Sequence, residues 1–358
     1  MTRRKRNIII AIVVLAVLTA AGIAVYQGTI DKTPVLTLKG SKEAELTMGQ
    51  TYQEEGYTAT DYQGNVITAL VKKEMPDLTI AGDQFIKYSV TSHGKTAIAY
   101  RLVKVRHKQP PVVKGYEEYD SYEAYLADYE TYYAYLNKGL TVLMYHNVYD
   151  PEDPPVNLHN NYISTTDLES HLQYLKEQDY YFPTWKEVRD FVDMKIDLPE
   201  KSIVLCFDDA SDGFIEHGIP LIEKYQVPAT SFVIGITKGE QMASMKPELQ
   251  YVQLESHSYD MHRGGGHIGH GGVFTALSYE DGMADLKQSV EILGSGQAFA
   301  YPFGDYTDLC RQVVADAGFY AAVTTVPGKV YPGDDPYLLS RQRVSLGTDL
   351  ESFLDVIK

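Results

Sequence analysis

The sequence predicts an α/β protein. A partly open or distorted β/α barrel over residues 139–358 is preceded by a small all-β sandwich over 33–106 and a transmembrane helix within 1–30. Three observations predict this. Residues 8–26 carry no charge. Residues 33–106 alternate apolar and polar positions between turn signals. Beyond residue 139, short apolar strands alternate with amphipathic helices. Parallel strands covered on both faces by helices read as continuous apolar runs, whereas half-buried strands alternate.

The first element is a basic tip, Arg3, Arg4, Lys5 and Arg6, followed by the uncharged run. At 1.5 Å per residue the run spans roughly 28 Å, close to the hydrocarbon thickness of a bilayer. Cations before the run and none just after it place the N-terminus in the cytoplasm and the rest outside. A cleaved signal peptide ending near Gly22 and Ala24 is the alternative; the length of the run favours an uncleaved anchor. The chain holds 48 Asp and Glu against 32 Lys and Arg, a formal charge of -16. Such an acidic chain offers no electrostatic footprint for nucleic acid. Its 44% hydrophobic content excludes wholesale disorder, and two cysteines in 358 residues exclude a disulfide scaffold.

In residues 33–106, Ile86, Tyr88 and Val90 fall at alternate positions, and Gly64-Asn65 and Ser92-His93-Gly94 are turn chemistry. The expected product is a small sandwich acting as a spacer or wall-proximal module. Lys108-Gln109-Pro110-Pro111 opens a linker over residues 107–138. Eight tyrosines follow between Tyr116 and Tyr135. Tyr122, Tyr125, Tyr129, Tyr132 and Leu136 share one helical face, and packing against a neighbour is the favoured role over an aromatic ledge for sugars.

In the barrel region, strands are expected at 140–145, 203–207, 230–234, 252–255, 298–301 and 321–324, with helices at 166–178, 214–225, 279–293 and 308–317. In such barrels chemistry gathers at the C-terminal strand ends. The second strand ends in Asp208-Asp209, two carboxylates that burial penalises unless they meet a cation or act as a base. The strand 252–255 runs into His257-Ser258-Tyr259-Asp260-Met261-His262, and another ends in Tyr301-Pro302-Phe303-Gly304-Asp305. One Asp with two His suits a divalent ion such as Zn2+ with a position open to water.

These motifs, "CFDD", "SHSYDMH" and "FAYPFGDY", resemble the signature motifs of the polysaccharide deacetylase (NodB-homology) family, carbohydrate esterase family four. The likeness covers roughly residues 140–358. It implies Asp208 as general base, Asp209, His257 and His262 as metal ligands, and the backbone N–H of Phe303 as oxyanion donor. The cofactor implied is a divalent metal, with Zn2+ preferred. The five-residue His spacing resembles the circularly permuted branch that includes poly-N-acetylglucosamine deacetylases. In that order Leu143-Met144-Tyr145-His146 matches the family's Leu-x-x-His motif, and His146 becomes the general acid. The sequence departs from the pattern where Ala300 replaces an Arg, where Ala210 follows the Asp pair in place of Gly, and where Arg341 and Arg343 occupy the late segment. Residues 33–106 resemble bacterial immunoglobulin-like modules.

The resemblance implies metal-dependent N-deacetylation of an extracellular N-acetylglucosamine polysaccharide, either peptidoglycan or poly-N-acetylglucosamine. A catalytically silent glycan-binding surface protein is the alternative. Several residues are given lesser roles. His267 and His270 lie in a Gly-rich run read as a polar flexible loop. Asp260 either orients a ligand histidine or bonds its own loop. His159, His171 and His217 read as surface or helix residues, Trp185 as packing, and Cys206 and Cys310 as free thiols.

Overall fold

The computed structural model describes residues 31–358. The anchor expected at 8–26 lies outside the described residues, and within them no helix is long and apolar enough to cross a membrane. Two units part at Gln109/Pro110.

The first unit is all β. Strands β1 (Val35–Leu38) and β3 (Tyr57–Thr60) pair antiparallel. A second sheet runs β2 (Glu43–Thr47), β6 (Lys95–Arg106), β5 (Gly82–Ser92), β4 (Lys72–Glu74). Alternation along β5 buries Ile86, Tyr88 and Val90, the first two in one cluster with Val103 and Val105 of β6. His93 and Gly94 turn the hairpin with φ of 49° and 75°, a two-residue turn whose twist matches its strands.

The second unit opens with α1 (Tyr122–Leu136), started by Ser121, whose Oγ accepts the Ala124 N–H at 3.1 Å. Within its own unit the tyrosine stripe expected to pack is largely exposed. Tyr122 is 55% exposed and Tyr129 47%. Only the last turn is moored, through Tyr135, which meets Phe191 edge-on with ring centroids 6.2 Å apart. Periodicity defines a face, but here the neighbour lies under one end of the helix only.

Seven strands then form a parallel ring: β7 (Thr141–Tyr145), β10 (Ile203–Asp209), β11 (Ala229–Val233), β12 (Val252–Ser256), β13 (Ala298–Ala300), β14 (Ala321–Pro327) and β15 (Leu339–Arg343). A short side pair, β8 (Asn147–Tyr149) and β9 (Tyr162–Ser164), lies outside it. Every residue of β7 and β11 is buried, as strands covered on both faces require. Outside the ring lie α2 (Thr165–Glu177), α3 (Trp185–Val192), α4 (Ile219–Tyr225), α5 (Glu240–Met245), α6 (Tyr279–Leu293), α7 (Asp308–Asp316) and α8 (Leu350–Ile357). Leu168, Leu172 and Leu175 of α2 and Ile222 of α4 pack with Leu143, Ile203 and Leu205 of the strands.

The ring is closed, not partly open. The strand that closes it, β15, is absent from the sequence expectation, and it pairs with β7 through Gln342↔Leu143 and Arg343↔Met144. Distortion is local: β12 and β13 share the single pair Ser256↔Phe299, and the register shifts between Val323 and Pro327 of β14. The continuous helix expected at 214–225 is also broken, into a π turn at Phe214–Gly218 followed by α4. Pro220 sits at the start of α4, where a missing N–H costs little. All seven strands run the same way, so their C-terminal ends share one mouth.

Candidate active site

Four of the eight left-handed non-glycine residues among those described lie at the mouth. Asp209, Ala210, Ser258 and Phe303 take φ of 72°, 51°, 69° and 60°. Left-handed non-glycine residues each carry strain and cluster where function over-determines the backbone. These four follow the ends of β10, β12 and β13. At Ala210 the observed φ is one that glycine would accept without strain.

The end of β10 sends its two carboxylates in different directions. Asp209 Oδ1 lies 3.4 Å from His257 Nε2 and 3.4 Å from His262 Nε2. That oxygen is buried and has no hydrogen bond of good geometry to either ring. The three atoms therefore converge on a shared point between them. One donor atom from each residue lies within 4.8 Å of the others. His257 Nδ1 is 2.8 Å from the Ala300 carbonyl oxygen. Donation of Nδ1–H there leaves the Nε2 lone pair facing the cluster, as in metal-ligating histidines generally. His262 is held by ring contact with Phe303, centroids 4.3 Å apart. One carboxylate and two imidazoles so oriented fit a divalent transition-metal ion.

Asp208, 2% exposed, points to the other side. Arg341 Nη1 and Nη2 donate to its two oxygens at 2.8 Å each, and Arg341 Nε donates to the Thr324 carbonyl at 2.8 Å. Burial works to raise the Asp208 carboxyl, but the Arg341 guanidinium overrides it and holds the group well below the usual carboxylate range. A basic residue beside this carboxylate is missing at position 300 and supplied by β15 instead. His146, at the end of β7, places Nε2 4.0 Å from Asp208 Oδ2. Its buried Nδ1 has no hydrogen-bond partner. Burial lowers the His146 imidazole, against the pull of the Asp208 and Asp209 carboxylates.

The structure thus brings Asp208, Asp209, His257, His262, His146 and Phe303 to one mouth. The sequence reading noted Arg341 but gave it no role, and it missed Asp285 of α6, whose carboxylate accepts the Tyr259 and Asp260 N–H groups at 2.7 Å each. Asp260 itself touches Arg263, with Arg263 Nε at 3.2 Å, and orients no ligand histidine. The Gly-rich run is built, not loose. Asp305 accepts the His270 N–H at 2.8 Å and the Gly272 N–H at 2.9 Å, and a Cβ at Gly269 would fall 1.9 Å from Asp305 Oδ1. Neither His267 nor His270 joins the metal cluster. His171 is wholly buried, its Nδ1 3.2 Å from the Tyr145 hydroxyl, and not a surface residue. Trp185 is buried, with Nε1 donating to Thr230 Oγ1 at 2.9 Å. Cys206 and Cys310 are both buried free thiols.

Two family models match. Residues 195–322 match that for polysaccharide deacetylases, and residues 36–105 that for the Ig-like domain of bacterial surface proteins. The chain carries a polysaccharide deacetylase domain preceded by a bacterial Ig-like domain. Among relatives, the Bacillus subtilis protein YxkH, whose name assigns it to the polysaccharide deacetylases, is 27% identical over 221 residues, 60% of this chain and 74% of that one. A Staphylococcus aureus poly-beta-1,6-N-acetyl-D-glucosamine N-deacetylase is 28% identical over 205 residues, 52% of this chain and 69% of that one. The Streptococcus pyogenes deacetylase PplD, solved with acetate, shares the fold with a TM-score of 0.51 at 24% identity, over 62% of this chain and 98% of that chain.

Proposed function

We propose that the protein is a metal-dependent N-deacetylase of N-acetylglucosamine-containing polysaccharide, acting outside the cytoplasm from an N-terminal membrane anchor. The observation that carries this is the convergence of Asp209, His257 and His262 donor atoms beside the Arg341-paired Asp208 and His146. The names of the Bacillus and Staphylococcus relatives favour a polysaccharide substrate, and the Staphylococcus name favours poly-N-acetylglucosamine; peptidoglycan is the other choice that the motif resemblance implies. The uncharged run behind four cations supports the location.

Asp209, His257 and His262 would hold the ion, with Zn2+ the first choice for this ligand set. A bound divalent ion supplies Lewis acidity toward an acetamide carbonyl and toward water. Asp208, ionised at any working pH, accepts the proton of the attacking water. Arg341 fixes the carboxylate plane and keeps it ionised despite burial. By the family resemblance the Phe303 N–H, on a left-handed residue after Pro302, is the donor to the developing oxyanion. Protonated His146 delivers a proton to the departing nitrogen, which cannot leave as an amide anion. Its lowered pKa makes the imidazolium a stronger acid. The C–N bond breaks, and acetate and a glucosamine-type amine are released.

The test is acetate release by the purified chain from peptidoglycan, poly-N-acetylglucosamine and chitin oligomers, with and without chelator. Release that stops with chelator and returns with Zn2+ is expected. His146→Ala should lose about 10²–10⁴-fold in rate. Undiminished release in chelator would sink the metal role; no release from any of the three would sink the activity.

A further inference from the structure

A second feature of the barrel unit is an exposed row of tyrosines on α1. Tyr122, Tyr125, Tyr129 and Tyr133 follow one another along the helix with ring centroids 6.3, 6.1 and 6.4 Å apart and interplanar angles of 26°, 31° and 12°. Tyr116 and Tyr119 from the preceding turn meet Tyr125 edge-on, each at 5.5 Å. The result is a continuous aromatic ridge, not a set of isolated side chains. Tyr116 is 57% exposed and Tyr133 59%. An exposed aromatic patch of this extent marks an interaction surface.

Charge says what the ridge would take. Glu117, Glu118, Asp120, Glu123, Asp128 and Glu130 are all exposed around it, and no Lys, Arg or His lies between residues 115 and 137. Tyrosine faces and carboxylates together select a ligand with flat C–H faces and positive charge. An apolar protein partner would have to bury those carboxylates unpaired, which is costly. The reaction proposed above makes a ligand of the required kind, since each turnover replaces a neutral acetamide by an ammonium group on a pyranose ring. The ridge is also remote from the chemistry. The helix leads into the start of β7 at Thr141, whereas His146, Asp208 and Asp209 sit at or just beyond the opposite ends of their strands.

We propose that this tyrosine ridge binds de-N-acetylated, cationic amino-sugar polymer, the product of the active site, and so keeps the enzyme on the glycan it has modified. The inference rests on the N-deacetylase reading of the mouth, and its test separates the two.

Binding of the full-length chain in detergent to fully de-N-acetylated chitosan and to its N-acetylated counterpart is measured with chelator present, which halts turnover and leaves the polymers unaltered. Chitosan should bind more tightly than the acetylated polymer, and its binding should weaken as salt rises. Tyr122→Ser, Tyr129→Ser and Tyr133→Ser combined should lower chitosan affinity about tenfold or more. The same three substitutions in the otherwise native chain should leave acetate release from short oligomers unchanged, which shows that the barrel is folded. Glu117→Gln, Glu118→Gln and Glu123→Gln should reduce the salt dependence. Equal binding of chitosan by the triple Tyr variant and its parent overturns the proposal. So does a dimer of the parent that the Tyr substitutions dissociate, since the ridge would then be a self-interface. Absence of acetate release from the native chain would instead remove the N-deacetylase reading, and chitosan binding would still decide the ridge.

Discussion

Arg341 and Asp208 face each other from β15 and β10 through two parallel hydrogen bonds of 2.8 Å, with both side chains almost wholly buried. A buried charge pair is worth little against a well-packed apolar pair, but removal of one partner strands the other. Arg341→Met should therefore destabilise the barrel by about 3–5 kcal/mol. The double variant Arg341→Met/Asp208→Asn should recover much of that loss. Trp185, the single tryptophan and a buried one, reports barrel unfolding by fluorescence. In the surviving folded fraction of Arg341→Met, Asp208 loses the charge that holds its carboxyl low. The acid limb of the rate profile should then move to higher pH. An unmoved limb would show that Arg341 does not tune the base.

The metal cluster makes a prediction in which folding and function separate. Asp209 Oδ1 is buried between two imidazoles without a hydrogen bond to either. Asp209→Ala removes one ligand and a half-buried carboxylate whose charge is opposed by desolvation. Metal content by mass spectrometry should fall from near one ion per chain toward zero, with acetate release falling alongside. The Trp185 emission should stay native. Full metal retention with activity lost would assign Asp209 another role.

The parts of this site visible in the sequence were those where chemistry interrupts an apolar strand. Asp208-Asp209 stands out after Ile203–Phe207 because carboxylates there need a reason. Strand β15 stayed hidden for the same cause seen from the other side. Its sequence, Leu-Ser-Arg-Gln-Arg, reads as polar because Arg341 is buried beside a partner on β10, the strand beyond β7. A charge satisfied by a residue 133 positions away leaves no local pattern. Ring closure depended on that strand, so closure too was invisible. The tyrosine face was found by periodicity, but period cannot say whether a neighbour exists. His171 read as a surface or helix residue; it does lie on a helix, and its burial comes with Phe353, stacked on it at 3.9 Å from the far end of the chain.

Asp305 holds the wall beside the metal cluster. It accepts N–H groups from His270 and Gly272, and Gly272 abuts the Phe303 ring, where an added Cβ would lie 3.0 Å away. Asp305→Ala leaves those two donors without their carboxylate, at a local cost of about 1–3 kcal/mol each where water cannot replace it. Hydrogen exchange should rise across residues 263–272 while the barrel strands keep their protection. KM for oligosaccharide should rise more than kcat falls. Unchanged exchange in that loop would show that the glycine backbone alone fixes it.

His171 gives the fold an acid sensitivity with a defined sign. Burial pushes its imidazole down to about 4, against about 6.5 in an unfolded chain. Above pH 6.5 both states are neutral there and the contribution to stability is complete. As pH falls from 6.5 to 4 the unfolded chain takes up a proton that the folded chain refuses, so stability is lost by up to about 3 kcal/mol. His171→Leu removes the titrating group, together with the contact to the Tyr145 hydroxyl. The variant should be less stable than the native chain at pH 7.5, and the gap should narrow or reverse at pH 4.5. Urea unfolding followed at Trp185 measures both. A gap that stays constant across the two pH values would mean that His171 does not couple folding to protons in this range.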